Sequence, residues 1–81
     1  MEKFLNEMVQ GEQGTIKKVV AEGKIKRRLF DMGVTPGANI TLKKVAPLGD
    51  PIQVLIRGYD LTLRRDEAKT VLMEVGKWSL H

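Results

Sequence analysis

Eight glycines and three prolines interrupt this 81-residue chain and leave short runs between them. Punctuation at that density suits an all-β domain with one helix. At 9.1 kDa, residues 1–81 make one domain, with 76–81 as a C-terminal tail past the last strand signal. A domain of this size buries roughly 60% of its unfolded surface. It has no cysteine, so hydrophobic packing carries the fold and neither a disulfide nor a cysteine zinc site is possible. The apolar fraction of 42% and charged fraction of 30% are those of a packed globular chain.

The pattern along the chain predicts five strands. The first covers residues 13–20. A helix follows over 23–32, where Ile25, Leu29 and Met32 share one face at i, i+4 and i+7. Gly33 ends it as a left-handed cap, and Val34 supplies the apolar contact beyond. Thr35-Pro36-Gly37-Ala38 reads as a type II turn. The second strand, 39–45, turns Ile40 and Leu42 inward, and Ala46-Pro47-Leu48-Gly49-Asp50-Pro51 connects it onward. The third, 52–57, puts Ile52, Val54 and Ile56 on one face. A tight turn at Gly58 leads to the fourth, where Tyr59, Leu61 and Leu63 alternate with Asp60, Thr62 and Arg64. Residues 66–69 form a helical turn with Asp66 as the expected N-cap. Residues 71–75 close the fold as the fifth strand.

A flat open sheet of such strands would leave sticky edges. Closure into a small, partly open barrel avoids them. The expected fold is therefore mainly β: an SH3-like partly open barrel of about five strands. One short helix follows the first strand, and a helical turn precedes the last.

Enzyme chemistry lacks its parts. The one histidine is His81, the last residue, and there is no cysteine nucleophile, Gly-x-Ser-x-Gly elbow or phosphate-cradling glycine loop. General acid–base and covalent schemes need positioned partners. The carboxylates Asp66 and Glu67 are accounted for by helix capping. Scattered carboxylates with His81 do not form the histidine-containing set that ferrous iron favours. No catalytic residue, metal ligand or cofactor is expected. No apolar run approaches the roughly 18 residues of a membrane span, so membrane insertion is not expected either. The N-terminus carries no signal-peptide pattern, which favours the cytoplasm.

The candidate binding residues are basic or apolar. Lys24, Arg27 and Arg28 share one helical face, and the net charge is +4. A solvated surface explains them; an acidic protein partner is the functional reading. Four dispersed aromatics argue against nucleic acid, whose binders interleave stacking rings with cations. Phe30 lies off the Ile25/Leu29/Met32 stripe. Either the segment Phe4-Leu5-Met8 covers it or it is an exposed docking aromatic. Leu48 sits at a Pro/Gly loop tip, where an apolar side chain is either exposed by chance or a binding anchor. Lys44 at the loop's base would steer an acidic partner.

Three segments carry a family resemblance. They are Arg27-Arg28-Leu29-Phe30-Asp31-Met32-Gly33-Val34-Thr35-Pro36-Gly37, then Ala46-Pro47-Leu48-Gly49-Asp50-Pro51, then the run from Arg57-Gly58-Tyr59 through Arg64-Arg65-Asp66-Glu67-Ala68. In series they resemble the FeoA family, small accessory proteins of bacterial ferrous iron uptake. The resemblance covers about residues 5–75. It implies an SH3-like fold, a cytoplasmic location that is peripheral at the inner membrane through a partner, and that partner itself: the cytosolic GTP-binding portion of the ferrous iron permease FeoB. The domain type also resembles the SH3-like module of iron-dependent repressors. A nucleic-acid-associated SH3-like domain or a metal-dependent regulatory module is thus the rival expectation.

Overall fold

The computed structural model describes residues 1–76. Six strands form one antiparallel sheet: β1 (Glu2–Phe4), β2 (Gln13–Val19), β3 (Asn39–Val45), β4 (Ile52–Ile56), β5 (Tyr59–Leu63) and β6 (Val71–Val75). Their order is β1-β6-β2-β3-β4-β5, so the sheet is not closed and β1 and β5 are its edges. The expected mainly-β, SH3-like arrangement holds with one strand more than predicted. The addition is β1, which pairs Lys3 with Met73 and Phe4 with Leu72. Three residues show no alternation, so this strand exists through its pairing rather than its pattern.

Two irregularities bend the sheet around its core. The β2–β6 register shifts between Ile16 and Lys18, and the β3–β4 register between Leu42 and Lys44. Inside lie Ile16, Ile40, Leu42, Val54, Ile56, Leu63, Val71 and Met73, all but sealed from solvent. The predicted inward residues Ile40, Leu42, Val54 and Ile56 are among them, and Ile52 is buried at the start of β4. A 3-10 turn, Leu5–Glu7, packs against the β6 strand and the second helix and delivers Leu5 to the core.

The helix α1 (Gly23–Asp31) ends as its sequence predicts. Gly33 takes φ +90°. Its N–H donates to the Phe30 carbonyl at 3.0 Å, and the Val34 N–H reaches back to Leu29 at 2.9 Å. This is the two-bond cap that uses up the last helical carbonyls, and both Leu29 and Val34 are fully buried. The β4–β5 hairpin reinforces it. Arg57 Nε donates to the Gly33 carbonyl at 3.2 Å and its Nη2 to Thr35 Oγ1 at 2.8 Å, while the Tyr59 hydroxyl donates to the Met32 carbonyl. A cation at this helix end also suits the macrodipole. The turn at 35–38 forms as expected, with Gly37 at positive φ and Ala38 N–H on the Thr35 carbonyl at 3.1 Å.

Two local expectations are corrected. Ile25 is 40% exposed, so α1 commits Leu29 to the core, with Met32 packed beside it, rather than a full three-residue stripe. A nine-residue helix on a small barrel offers room for one deep contact. The second helix, α2 (Arg65–Ala68), is entered at Arg64, not capped by Asp66. The Arg64 N–H donates to Glu67 Oε1 at 2.9 Å, so the carboxylate three residues on does the capping. Asp66 points to solvent and meets Lys69 at 3.7 Å.

Candidate functional site

The loop between β3 and β4 is built to hold its tip still. Ala46 N–H donates to the Pro51 carbonyl at 3.0 Å and Gly49 N–H to the Ala46 carbonyl at 2.7 Å. At its far end Asp50 Oδ1 accepts the Arg65 N–H at 3.0 Å, tying the loop to the start of α2. Pro47 and Pro51 restrict the backbone further. On this frame Leu48 is 88% exposed, more than any other large apolar side chain among the described residues. Lys44 stands exposed at the loop's base, with no carboxylate partner among those residues.

The helix candidates lie on a different patch. Lys24 and Arg27 are exposed on α1 and make no ion pair among the described residues. Phe30 is 39% exposed, and the Lys26 Nζ sits 5.6 Å from its ring centroid. Gly23, Lys26, Arg27, Phe30 and Asp31 together line a shallow depression. Leu5 and Met8 of the N-terminal segment enter the main core. Lys26 is the residue that the sequence reading passed over. Its signal was its i, i+4 spacing to Phe30.

Arg28 belongs to neither patch as a free cation. Its Nε lies 3.2 Å from Glu67 Oε2, and Glu67 is buried. Arg28 also lines a groove of about 360 Å³ with Asp50, Pro51, Thr62 and Arg64, between α1 and the base of the loop. The structure thus separates the six candidates into the loop pair Leu48 and Lys44, the helix set Lys24, Arg27 and Phe30, and Arg28 bound to the fold's own carboxylate. His81 and the tail from residue 77 onward lie outside the described residues. Among the described residues no three His, Cys, Asp or Glu side chains gather as a metal site.

A sequence model of the FeoA domain matches residues 4–75. The chain belongs to the FeoA family. That family is accessory to ferrous iron transport, as the three segments implied. An FeoA-like protein from Clostridium acetobutylicum, solved by NMR, is 40% identical and superposes with a TM-score of 0.85, covering 91% of this chain and 86% of that one. The FeoA of Stenotrophomonas maltophilia, described as a prokaryotic SH3 domain protein, is 26% identical with a TM-score of 0.78 and 89% of each chain covered. A Porphyromonas gingivalis protein is 35% identical over 71 residues, 88% of this chain. That relative is a fusion of Fe(2+) transport protein A with the Fe(2+) transporter FeoB, and this chain spans 8% of its length. Among the described residues, no helix is long and apolar enough to cross a membrane.

Proposed function

We propose that this member of the FeoA family acts in the cytoplasm by docking onto the cytosolic part of a FeoB-type ferrous iron transporter, with Leu48 as its anchor. The observation that carries the reading is the 88% exposure of Leu48 on a loop tied at both ends. An apolar side chain held out on a stiff frame loses little entropy when a pocket takes it. The fused relative supports the choice of partner, because one polypeptide there carries both proteins. Lys44 beside the loop would speed encounter with an acidic surface without adding much to the final complex.

The test is binding of folded Leu48→Asp protein to the transporter's cytosolic domain. Loss of binding supports the loop, and wild-type affinity moves the contact to α1. The helix patch has its own favouring observation: Phe30 is 39% exposed beside Lys26, and Lys24 and Arg27 make no ion pair among the described residues. Lys24→Glu with Arg27→Glu would then be the variant that abolishes binding.

A further inference from the structure

The sheet ends on a usable edge. β5 pairs with β4 and, among the described residues, with no strand on its other side. Its hairpin turns at Arg57 and Gly58, both at positive φ, so Ile56 and Tyr59 flank a tight turn as a hydrogen-bonded pair. Hydrogen-bonded and non-bonded pairs alternate along an antiparallel ladder. Tyr59, Leu61 and Leu63 therefore aim their backbone groups at β4. Asp60 and Thr62 aim their N–H and C=O outward, where the described residues offer no backbone partner. The opposite edge, β1, is shorter, and its Glu2 and Lys3 are held in ion pairs with Lys17 and Glu12.

We propose that β5 is a self-association edge, pairing antiparallel with β5 of a second copy so that Asp60 lies opposite Thr62 and Leu61 lies opposite Leu61 on the two-fold axis. The inference is independent of docking on the transporter. The register follows by elimination. Centring the pair on Asp60 would set two carboxylates directly opposite, which is destabilising. Centring it on Thr62 would call on Arg64, whose N–H is already on Glu67 Oε1 and whose carbonyl accepts from Glu67 and Ala68. Centring on Leu61 uses the outward N–H and C=O of Asp60 and Thr62 in both copies and no group already engaged.

The side chains agree with that register. The Thr62 hydroxyl faces the carboxylate of Asp60 across the pair. Asp60 Oδ1 already has Lys43 Nζ of its own copy at 3.4 Å, and Arg64 of the second copy comes diagonally to it on the same face, within reach of a long side chain, so each carboxylate would sit between two cations. On the other face Leu61, already packed against the core, meets its own copy and gains burial. Charged residues on an edge discourage indiscriminate pairing. Here their opposite signs admit the same strand reversed. The interface is small, so the dimer forms at high local concentration rather than permanently.

The chain has no cysteine, which makes cross-linking decisive. A non-hydrogen-bonded antiparallel pair brings Cα atoms to about 4.5 Å, within the reach of a disulfide. Leu61→Cys protein in a glutathione redox buffer should form covalent dimer roughly tenfold or more faster than Leu48→Cys, whose thiols meet by collision alone. Adding Thr62→Pro removes an outward N–H while sparing the β4 ladder, and should return the rate to that of Leu48→Cys. Equal rates for Leu61→Cys and Leu48→Cys would overturn the proposal. Sedimentation equilibrium of the unmodified protein gives a second reading that needs no folded variant. A monomer–dimer equilibrium by about 1 mM supports the edge, and a monomer throughout refutes it.

Discussion

Arg28 and Glu67 form an ion pair across the fold, Nε to Oε2 at 3.2 Å, between an exposed guanidinium and a buried carboxylate. The same carboxylate caps α2 by accepting the Arg64 N–H at 2.9 Å. One side chain therefore fixes the start of α2 and draws α1 toward it. Glu67→Ala should cost about 2–3 kcal/mol, since it strands a backbone donor as well as the arginine. Glu67→Gln keeps an acceptor for Arg64 and should cost distinctly less. Urea denaturation of the two variants checks the order; equal losses would show that the cap contributes nothing.

Arg27 and Arg28 are sequence neighbours with different work. Arg28→Ala leaves a buried carboxylate without its cation and should destabilise by about 1–2 kcal/mol, discounted because the guanidinium is largely exposed. Arg27→Ala should change stability by less than about 0.5 kcal/mol. Thermal melts of both proteins decide the matter, and equal melting temperatures would contradict the assignment.

Leu29→Ala removes a fully buried side chain and should cost about 3 kcal/mol. Ile25→Ala, on a residue 40% exposed, should cost under about 1 kcal/mol. A loss at Ile25 matching that at Leu29 would restore the three-residue stripe that the sequence pattern suggested.

Gly33→Ala should lower stability by about 1–2 kcal/mol for the left-handed backbone alone. The added Cβ would also stand 3.0 Å from the Tyr59 hydroxyl and 3.4 Å from Arg57 Cδ, pressing on the hairpin that holds the helix end. The melting temperature should fall, and amide exchange should rise at Val34. An unshifted melt would mean that the cap is dispensable.

Lys17 on β2 is hydrogen-bonded to the Glu2 carboxylate on β1, and that bond, aided by the charge of Glu2, raises its pKa above the ordinary 10.5. A raised lysine pKa stabilises the fold fully below pH 10.5 and loses that contribution as pH climbs through the folded value. In Glu2→Gln the Lys17 titration, followed by NMR at its Cε, should move back down. A titration that stays put would place the cause elsewhere.

Much of this fold was legible because its signals are local. Gly33 before Val34, Pro36-Gly37 in the next turn, and the alternation through Ile52, Val54 and Ile56 each specify backbone within a few residues. What escaped depends on contacts between distant segments. β1 exists because Met73 and Leu72 complete it. Arg28 looked like one more helix cation until Glu67 came to meet it. Asp66 was the natural cap by residue type, but the entry geometry favoured Glu67 at the third helical position. The exposure of Leu48 could be read from its loop, whereas the tie from Asp50 to the Arg65 backbone that steadies it could not.

The central claim is that the β3–β4 loop tip anchors the protein on the cytosolic domain of a FeoB-type transporter. Titration of that domain with Leu48→Asp protein, monitored by calorimetry with circular dichroism as the folding control, tests it most directly. Hot-spot truncations at interfaces cost about 2 kcal/mol or more, so folded Leu48→Asp protein should bind at least roughly thirtyfold more weakly than wild type, with most of the change in dissociation rate. Wild-type affinity in the folded variant would contradict the account.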